Sequence, residues 1–589
     1  MCSYEEDERR ISALLKEVEA EGDFDKSDSE SSDDCEELDH NSDTETDGNV
    51  SDYEDDIGTE CNLNYVGKNK KTKWMVKAPP TNVRTRFQNI VSQVPGVKGN
   101  AKSVKTALES YLLFLDEDML KKITGYTNVY ITQVSGNYSR ERNAKTDEVE
   151  IQSFIGLLLL AGFYRGGHLN LKDLWNTDGF GVEIFHTTMS LYRFLFLLRC
   201  IRFDNILSRE ERRKVDKLAA VREIFELFLE NCRSLYSVSE YTTVDEQLVP
   251  FRGRCSFRQY IPSKPAKYGL KIFTLCDAKS WYALDMEIYV GTQPDGPFKT
   301  SNSPKDVVIR LSKTIEGTCR NITADNWFCS YNLAEELSNR KLTLVGTLRK
   351  NKPELPPEFV NLKNREANSS LFGFQKDKMI LSYVPKKNKN VIMISTMHFD
   401  DKIDDSTGDK KKPEVITMYN KTKSGVDVLD EMCATYSTSR KTRRWPLVIF
   451  FRLLDIAGIN SMVIYSRNNP KSTMVRREFL REIAVEMIKP AISRRAAISS
   501  LPKRIKRNAT KMTRDQSKNS ESSTKAAKLN EGSQGSRNRS ECAGRCVKCP
   551  RSRDIKTKCQ CVKCLKKMCQ VHMVSVCDDC YNIHESDCE

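Results

Sequence analysis

The sequence predicts an α/β core carrying an insertion, set between mostly helical segments and followed by a small cysteine-rich end. Three observations predict it. Apolar spacing of three and four residues gives way to strand-like runs at Tyr241, a Lys/Asn/Asp-rich stretch interrupts those runs near residue 353, and ten of the twenty cysteines crowd into residues 542–589. The chain's 589 residues exceed a single core, and about one domain per 100–200 residues implies three to five units.

The net charge of +13 is distributed unevenly. Residues 1–60 hold 24 Asp/Glu against 4 Lys/Arg, a balance of −20, which leaves 90 Lys/Arg against 57 Asp/Glu, or +33, in the rest. An acidic tail on a basic body is the charge pattern of a polyanion binder. The run KSDSESSDDCEELDHNSDTETD cannot bury enough apolar surface to offset its ordering entropy, so residues 1–68 are expected to be disordered. Within it, Ser27 and Ser31 each have an acidic residue three positions on, as an acidic-directed kinase requires. The opening MCSYEEDERR has no secretory signal, and the longest apolar run, Phe154–Phe163, is about half a membrane span. An intracellular, reducing compartment and no membrane partner are expected, so the clustered cysteines should hold metal rather than form disulfides.

Residues 95–240 read as helices, with SFIGLLLLAGFY, SLYRFLFLLRCIRF and VREIFELFLENC carrying the period. From 241 to 352 the elements change. YTTVDEQLVPF is a strand, YGLKIFTLCD and YALDMEIYVG form a hairpin turning at Ala278–Ser280, and SPKDVVIRLSKTI is a helix with Ser303 as N-cap and Pro304 at its first position. NITAD, LAEELSNR and KLTLVGTLR follow as strand, helix and strand. Three strands, helix, strand, helix, strand is the order of an RNase H-like α/β domain. Residues 353–414, opening with KPELPPEF and holding one good apolar strand, VIMIST, read as an insertion. The core resumes over 415–436 and helices return over 437–507. Residues 508–541 are a linker, and Lys503–Arg507 is either part of that solvated linker or a nuclear-import patch.

Cleaving a phosphodiester requires an activated attacking oxygen and neutralisation of charge growing on the phosphate. A pair of Mg²⁺ ions supplies both, and carboxylates on rigid elements hold such ions. Asp245 lies in the first strand, Asp325 at the end of the fourth, and Asp427 at the start of the helix after the insertion. Asp430, three residues further, shares a helical face with Asp427 and is either a further ligand or a group that orients the first. Two basic stretches flank these positions. Arg440, Lys441, Arg443, Arg444 and Trp445 follow the third carboxylate, and Arg252, Arg254, Lys264, Lys267 and Lys271 follow the first strand. Guanidinium groups grip phosphate and an indole stacks on an unpaired base, so both stretches are candidate DNA contacts.

The end of the chain reads Cys546-x2-Cys549, Cys561-x2-Cys564, Cys569-x2-His572 and Cys577-x2-Cys580. These eight ligands suffice for two tetrahedral Zn²⁺ sites, without which so short a segment would not fold. Spacing leaves the pairing open, and a protein-binding module of the PHD or RING kind uses similar ligands. Six Lys and Arg between 545 and 558 favour DNA.

VDEQLVPFRGR, TADNWF and NKTKSGVDVLDEM, followed by SRKTRRWP, resemble in order and context the blocks of piggyBac transposases, most closely the insect-type members. The resemblance implies an RNase H-like core with an insertion, and a dimerisation and DNA-binding domain in which the helices before 241 and after 437 pack together. It implies that Asp245, Asp325 and Asp427 are the catalytic triad binding two Mg²⁺, with Asp430 an acidic active-site residue. It favours a cross-brace in which one Zn²⁺ takes Cys546, Cys549, Cys569 and His572, and the other takes Cys561, Cys564, Cys577 and Cys580. The implied protein is a nuclear homodimer acting on double-stranded transposon terminal repeats and TTAA targets. A domesticated derivative that binds DNA without transposing is the second reading.

Overall fold

The computed structural model describes residues 64–80, 85–137, 144–262 and 264–512, with short stretches between 544 and 571. The acidic run up to residue 63 with Ser27 and Ser31, the linker from 513 to 541, and every predicted zinc ligand except Cys549 lie outside the described residues. Residues 1–514 and 515–589 form two separate compact units.

One mixed sheet of eleven strands organises the first unit. Its longer members are β1 (Asn64–Val66), β2 (Lys73–Met75), β3 (Tyr241–Pro250), β4 (Tyr268–Asp277), β5 (Ala283–Ile288), β6 (Asn321–Ala324), β7 (Thr343–Thr347), β8 (Ser370–Phe374), β9 (Met379–Lys386) and β10 (Lys389–Ser395). The order is β1-β2-β8-β9-β10-β7-β6-β3-β4, with β5 and the two-residue strand Gln259–Tyr260 both paired to β4. β3, β6 and β7 run parallel, and β4 and β5 are antiparallel to their neighbours. This mixed sheet with its helices is consistent with an RNase H-like core. β4 is buried along all but its first residue, so its apolar residues do not alternate with exposed ones and even Lys271, Thr274 and Asp277 lie inside.

The predicted insertion contains three strands, not one. β8 and β9 add to the strand read from VIMIST, which is β10 up to Ser395, and β10 pairs antiparallel with β7, so the insertion prolongs the core sheet. The hairpin β1–β2 extends it further by pairing with β8. The expected disorder therefore stops short of residue 68. Trp74 is fully buried and donates Nε1–H to the Glu354 carbonyl at 2.9 Å, while Tyr65 meets Phe359 edge to face at 5.2 Å. Burial of these two rings offsets the ordering entropy of the hairpin.

The helices that matter are α1 (Ala107–Leu112), α2 (Glu117–Val134), α3 (Glu148–Phe163), α4 (Leu191–Cys200), α5 (Arg222–Leu235), α6 (Pro304–Ser312), α7 (Tyr331–Asn339), α8 (Glu414–Thr422), α9 (Gly425–Thr435), α10 (Trp445–Asn468) and α11 (Arg476–Ala496). The Ser303 hydroxyl caps α6 by accepting the Asp306 N–H at 3.2 Å, and Pro304 opens it, as the sequence predicts. α3 is buried from Phe154 to Phe163 and packs on α11, so segments some 330 residues apart form one helical layer. α10 is long and apolar enough to cross a membrane by composition, but its most apolar window is 89% buried within the protein. It also carries the buried polar residues Arg452 and Asn460, a sign of a core helix satisfied by internal partners. Residues 503–512 are helical, with Asn508 and Ala509 buried, so the linker begins later than residue 508.

Candidate active site

Strand register places the first two carboxylates. Val244 on β3 pairs with Ala324 on the parallel β6, which sets Asp245, in the middle of β3, beside Asp325, the first residue past the end of β6. A threonine cluster sets the third. Thr243 Oγ1 donates to the Thr422 carbonyl at 2.5 Å, and the Thr323 and Thr422 hydroxyls are 2.8 Å apart. Thr243 and Thr323 each lie two residues before a carboxylate, hence on the same face of their strands. Thr422 closes α8 five residues before Asp427, so the cluster latches the α8–α9 junction over the two strands. At Gly425 a Cβ would lie 2.6 Å from Thr243 Oγ1, and only glycine lets α9 start this close to β3.

The electrostatics follow from this crowding. Burial first, then the charges of Glu246 and Asp325, push the Asp245 carboxyl well above the usual carboxylate range, with Asp427 adding to the effect. Burial also raises Asp325, although its Oδ1 accepts the Trp327 N–H at 2.9 Å. Glu246 is raised by burial too, and the sequence reading passed over it despite its place beside Asp245. Lys264 stands among these groups, its Nζ 3.6 Å from Asp427 Oδ1 and 3.3 Å from the Glu246 carbonyl. Burial works against that ammonium, but Asp245, Glu246 and Asp427 prevail and its pKa lies above the ordinary value. Asp430 points to α10, paired with the buried Arg452 at 2.9 Å.

The ten predicted DNA-contacting residues divide. Arg252, Arg254, Lys267, Lys441 and Arg443 are exposed, and Trp445 is half-buried against Phe257 at 5.0 Å. Lys264 faces the carboxylates. The expectation is corrected for Lys271 and Arg444, and altered for Arg440. Lys271 is 1% exposed, its ammonium about 5 Å from the ring centres of Phe273, Tyr289 and Trp327, a cation–π box inside the fold. Arg444 is buried and donates to the carbonyls of Leu198, Arg199 and Ile201, satisfying the end of α4. Arg440 is also buried and donates to the Gly166 carbonyl at 2.6 Å. Its Nε and Nη2 have no hydrogen-bond partner among the described residues, and burial lowers its pKa to about 10. Arg440 lines a cleft of about 1380 Å³ with Arg165, Arg252, Lys441, Arg443 and Arg452. The two basic stretches share this cleft because Gly253 meets the Arg443 carbonyl, where a Cβ would lie 2.7 Å away.

An aspartate within one strand and another just past the end of its parallel neighbour, in a mixed sheet with flanking helices, are consistent with an RNase H-like core. Residues 106–462 match the family model described as Transposase IS4. The chain belongs to that family, in its piggyBac-type branch. It is 32% identical to a piggyBac transposase solved by cryo-EM as a synaptic complex with hairpin DNA, with a TM-score of 0.67 over 83% of this chain and 100% of that one. It is 22% identical over 380 residues to the human PiggyBac transposable element-derived protein 3 and, at the same identity and length, to the human Chimeric ERCC6-PGBD3 protein. The match takes in 60% of this chain, and the chain spans 60% of the first relative's length and 34% of the second's.

Proposed function

We propose that the chain is a metal-dependent, cut-and-paste DNA transposase that excises a piggyBac-like element and joins it at TTAA targets. The observation that carries this reading is the convergence of Asp245 on β3 with Asp325, one residue past the parallel β6, and with Asp427 of α9, whose charge reaches the same field. Three hard carboxylates without thiol or imidazole suit Mg²⁺. Among the described residues no three His, Cys, Asp or Glu side chains are grouped so as to hold an ion by themselves. Further ligands would have to come from water and substrate phosphate. Bound there, two such ions would supply activation of the attacking oxygen and neutralisation of charge on the phosphate.

The chain's own residues do the rest. Asp245, Asp325 and Asp427 hold their carboxylates on two strands and one helix, and Asp430 steadies α9 through Arg452. Lys264 offsets part of the acidic charge before substrate arrives. Arg252, Lys441 and Arg443 line the cleft where a DNA backbone would lie, and the unpartnered nitrogens of Arg440 suit a phosphate oxygen. The 3′-hydroxyl freed at each end would attack the opposite strand to form a hairpin, later reopened and joined to target. The solved relative is held in a complex with hairpin DNA, which supports the hairpin in this reading. The reading extends to a homodimer in the nucleus and to two Zn²⁺ held by the ligands from Cys546 to Cys580. Likeness to a transposable element-derived protein supports the second reading, a DNA-binding derivative without transposition. The presence of all four aspartates favours the enzyme.

The deciding experiment is an excision assay on the element's own flanking repeats, comparing wild type with Asp325→Asn. A loss on the order of 10²–10³-fold or more is expected, because the charge growing on phosphate loses its counterpart. Equal excision by both proteins overturns the catalytic assignment.

A further inference from the structure

Phe180 stands on the loop between the short helices Leu171–Trp175 and Glu183–Thr188, with 91% of its surface exposed. A lone exposed ring is ordinary; its mounting and its neighbours are not. The Asp178 N–H donates to Asn176 Oδ1 at 3.2 Å, and Asn176 Nδ2 donates to Asp178 Oδ2 at 2.8 Å. The Phe180 N–H donates to Asp178 Oδ1 at 3.0 Å, so the backbone beneath the ring is fixed. Beside this loop lies the helix of residues 503–512, fastened to it by Arg504, whose Nη1 donates to the Thr177 carbonyl at 2.9 Å. That helix buries Asn508 and Ala509 with Ile505 and Met512 half-buried, the spacing of one face. Lys503, Lys506 and Arg507 occupy the other face and are exposed. The acidic neighbours are engaged: Asp178 holds the loop, and Glu183 lies 3.5 Å from Arg504.

The geometry points to a duplex-DNA docking surface, with the cations of helix 503–512 along the phosphates and Phe180 wedged into a base step. Charge complementarity selects the polyanion, and an apolar side chain on a fixed loop beside a basic helix is the equipment of a wedge that unstacks and bends a duplex. The segment read from sequence as linker or import patch thereby acquires a binding face. The inference rests on the DNA-acting reading above.

The test uses the full chain and a mixed-sequence duplex carrying 2-aminopurine at successive positions, read by anisotropy and by the probe's fluorescence. Phe180→Ala should weaken binding by about 10-fold and abolish the fluorescence rise of the unstacked probe, leaving the slope of log affinity against log salt unchanged. Phe180→Trp should restore both. Lys506→Gln with Arg507→Gln should lower that slope by about 2 while keeping the fluorescence rise at saturation. Wild-type affinity and wild-type fluorescence in Phe180→Ala would overturn the wedge. So would a loss of self-association in sedimentation with DNA affinity intact, which would assign Phe180 to a second copy. Failure of the wild type itself to bind the duplex would remove the functional reading and the wedge together.

Discussion

On β3 and β6 the acidic residues are placed by strand register, whereas the basic residues at 252–254 and 440–444 hang from loops that fold against one another. Register leaves little freedom: once Thr242 pairs with Ile322, Asp245 and Asp325 must be neighbours. A loop imposes no such order. Arg443 and Arg444 are adjacent in sequence, yet one faces solvent and the other lies 3% exposed against three carbonyls. Chemistry that depends on convergence is built on strands, and chemistry that depends on reach is built on loops. On loops, identical residue types divide between binding and construction.

The neighbouring arginines test this division most severely. Arg444→Ala should destabilise the protein by about 2–4 kcal/mol in chemical denaturation, since two buried carbonyls and one part-buried carbonyl lose a charged donor. A loss near that of an ordinary surface substitution would mean that the loop is not built around this side chain. Next in size is the threonine latch. Thr422→Val removes the hydroxyl shared with Thr323 and should cost about 1–2 kcal/mol. It should also lower strand cleavage beyond what stability accounts for, measured well below the melting temperature. Unchanged cleavage would show that Asp427 is positioned by other contacts.

The pH dependence sharpens the acidic side. Asp245 and Asp325 titrate above their unfolded values, so the folded state binds more protons than the unfolded one through that window. Their contribution to stability is therefore greatest at and below a pH of about 4 and falls as pH rises towards the raised values. A divalent cation should reverse the loss. Mg²⁺ is expected to raise Tm by about 2 °C at neutral pH, and to leave Asp245→Asn unmoved while that variant is itself the more stable without metal. The smallest effect belongs to Arg443→Ala. Its stability should stay within about 0.5 kcal/mol of wild type, and the salt slope of DNA binding should fall by about 1. A large change in Tm would move Arg443 to the constructional side with Arg444.

What the sequence made legible follows the same line. Helix α6 with its Ser303 cap, the strands β3, β4 and β6, and the adjacency of Asp245 and Asp325 are written in local period and element order. The Thr243–Thr422 contact spans 179 positions and leaves no local mark, since threonine in a strand reads only as β propensity. Lys271 looked like a phosphate contact because periodicity does not show which face of a central strand closes over an ammonium. β1 and β2 were invisible as members of the core sheet because their partner, β8, lies some 300 residues away. Glu246 alone was recoverable, as a second acid directly beside Asp245 in the same strand.

The hairpin β1–β2 has a practical consequence for anyone who trims the acidic tail. Its three-residue strands close the insertion's end of an eleven-stranded sheet, with Trp74 driven into the layer beneath. A cut before residue 64 removes only the acidic run, whereas a cut after residue 75 removes the strand that pairs with β8 at Phe374 and takes Trp74 from beside Gly373, leaving β8 as the open edge. An open edge of that kind recruits other edges. The site of truncation would then decide whether the shortened protein stays dispersed, and a loss of solubility would say nothing about the tail itself.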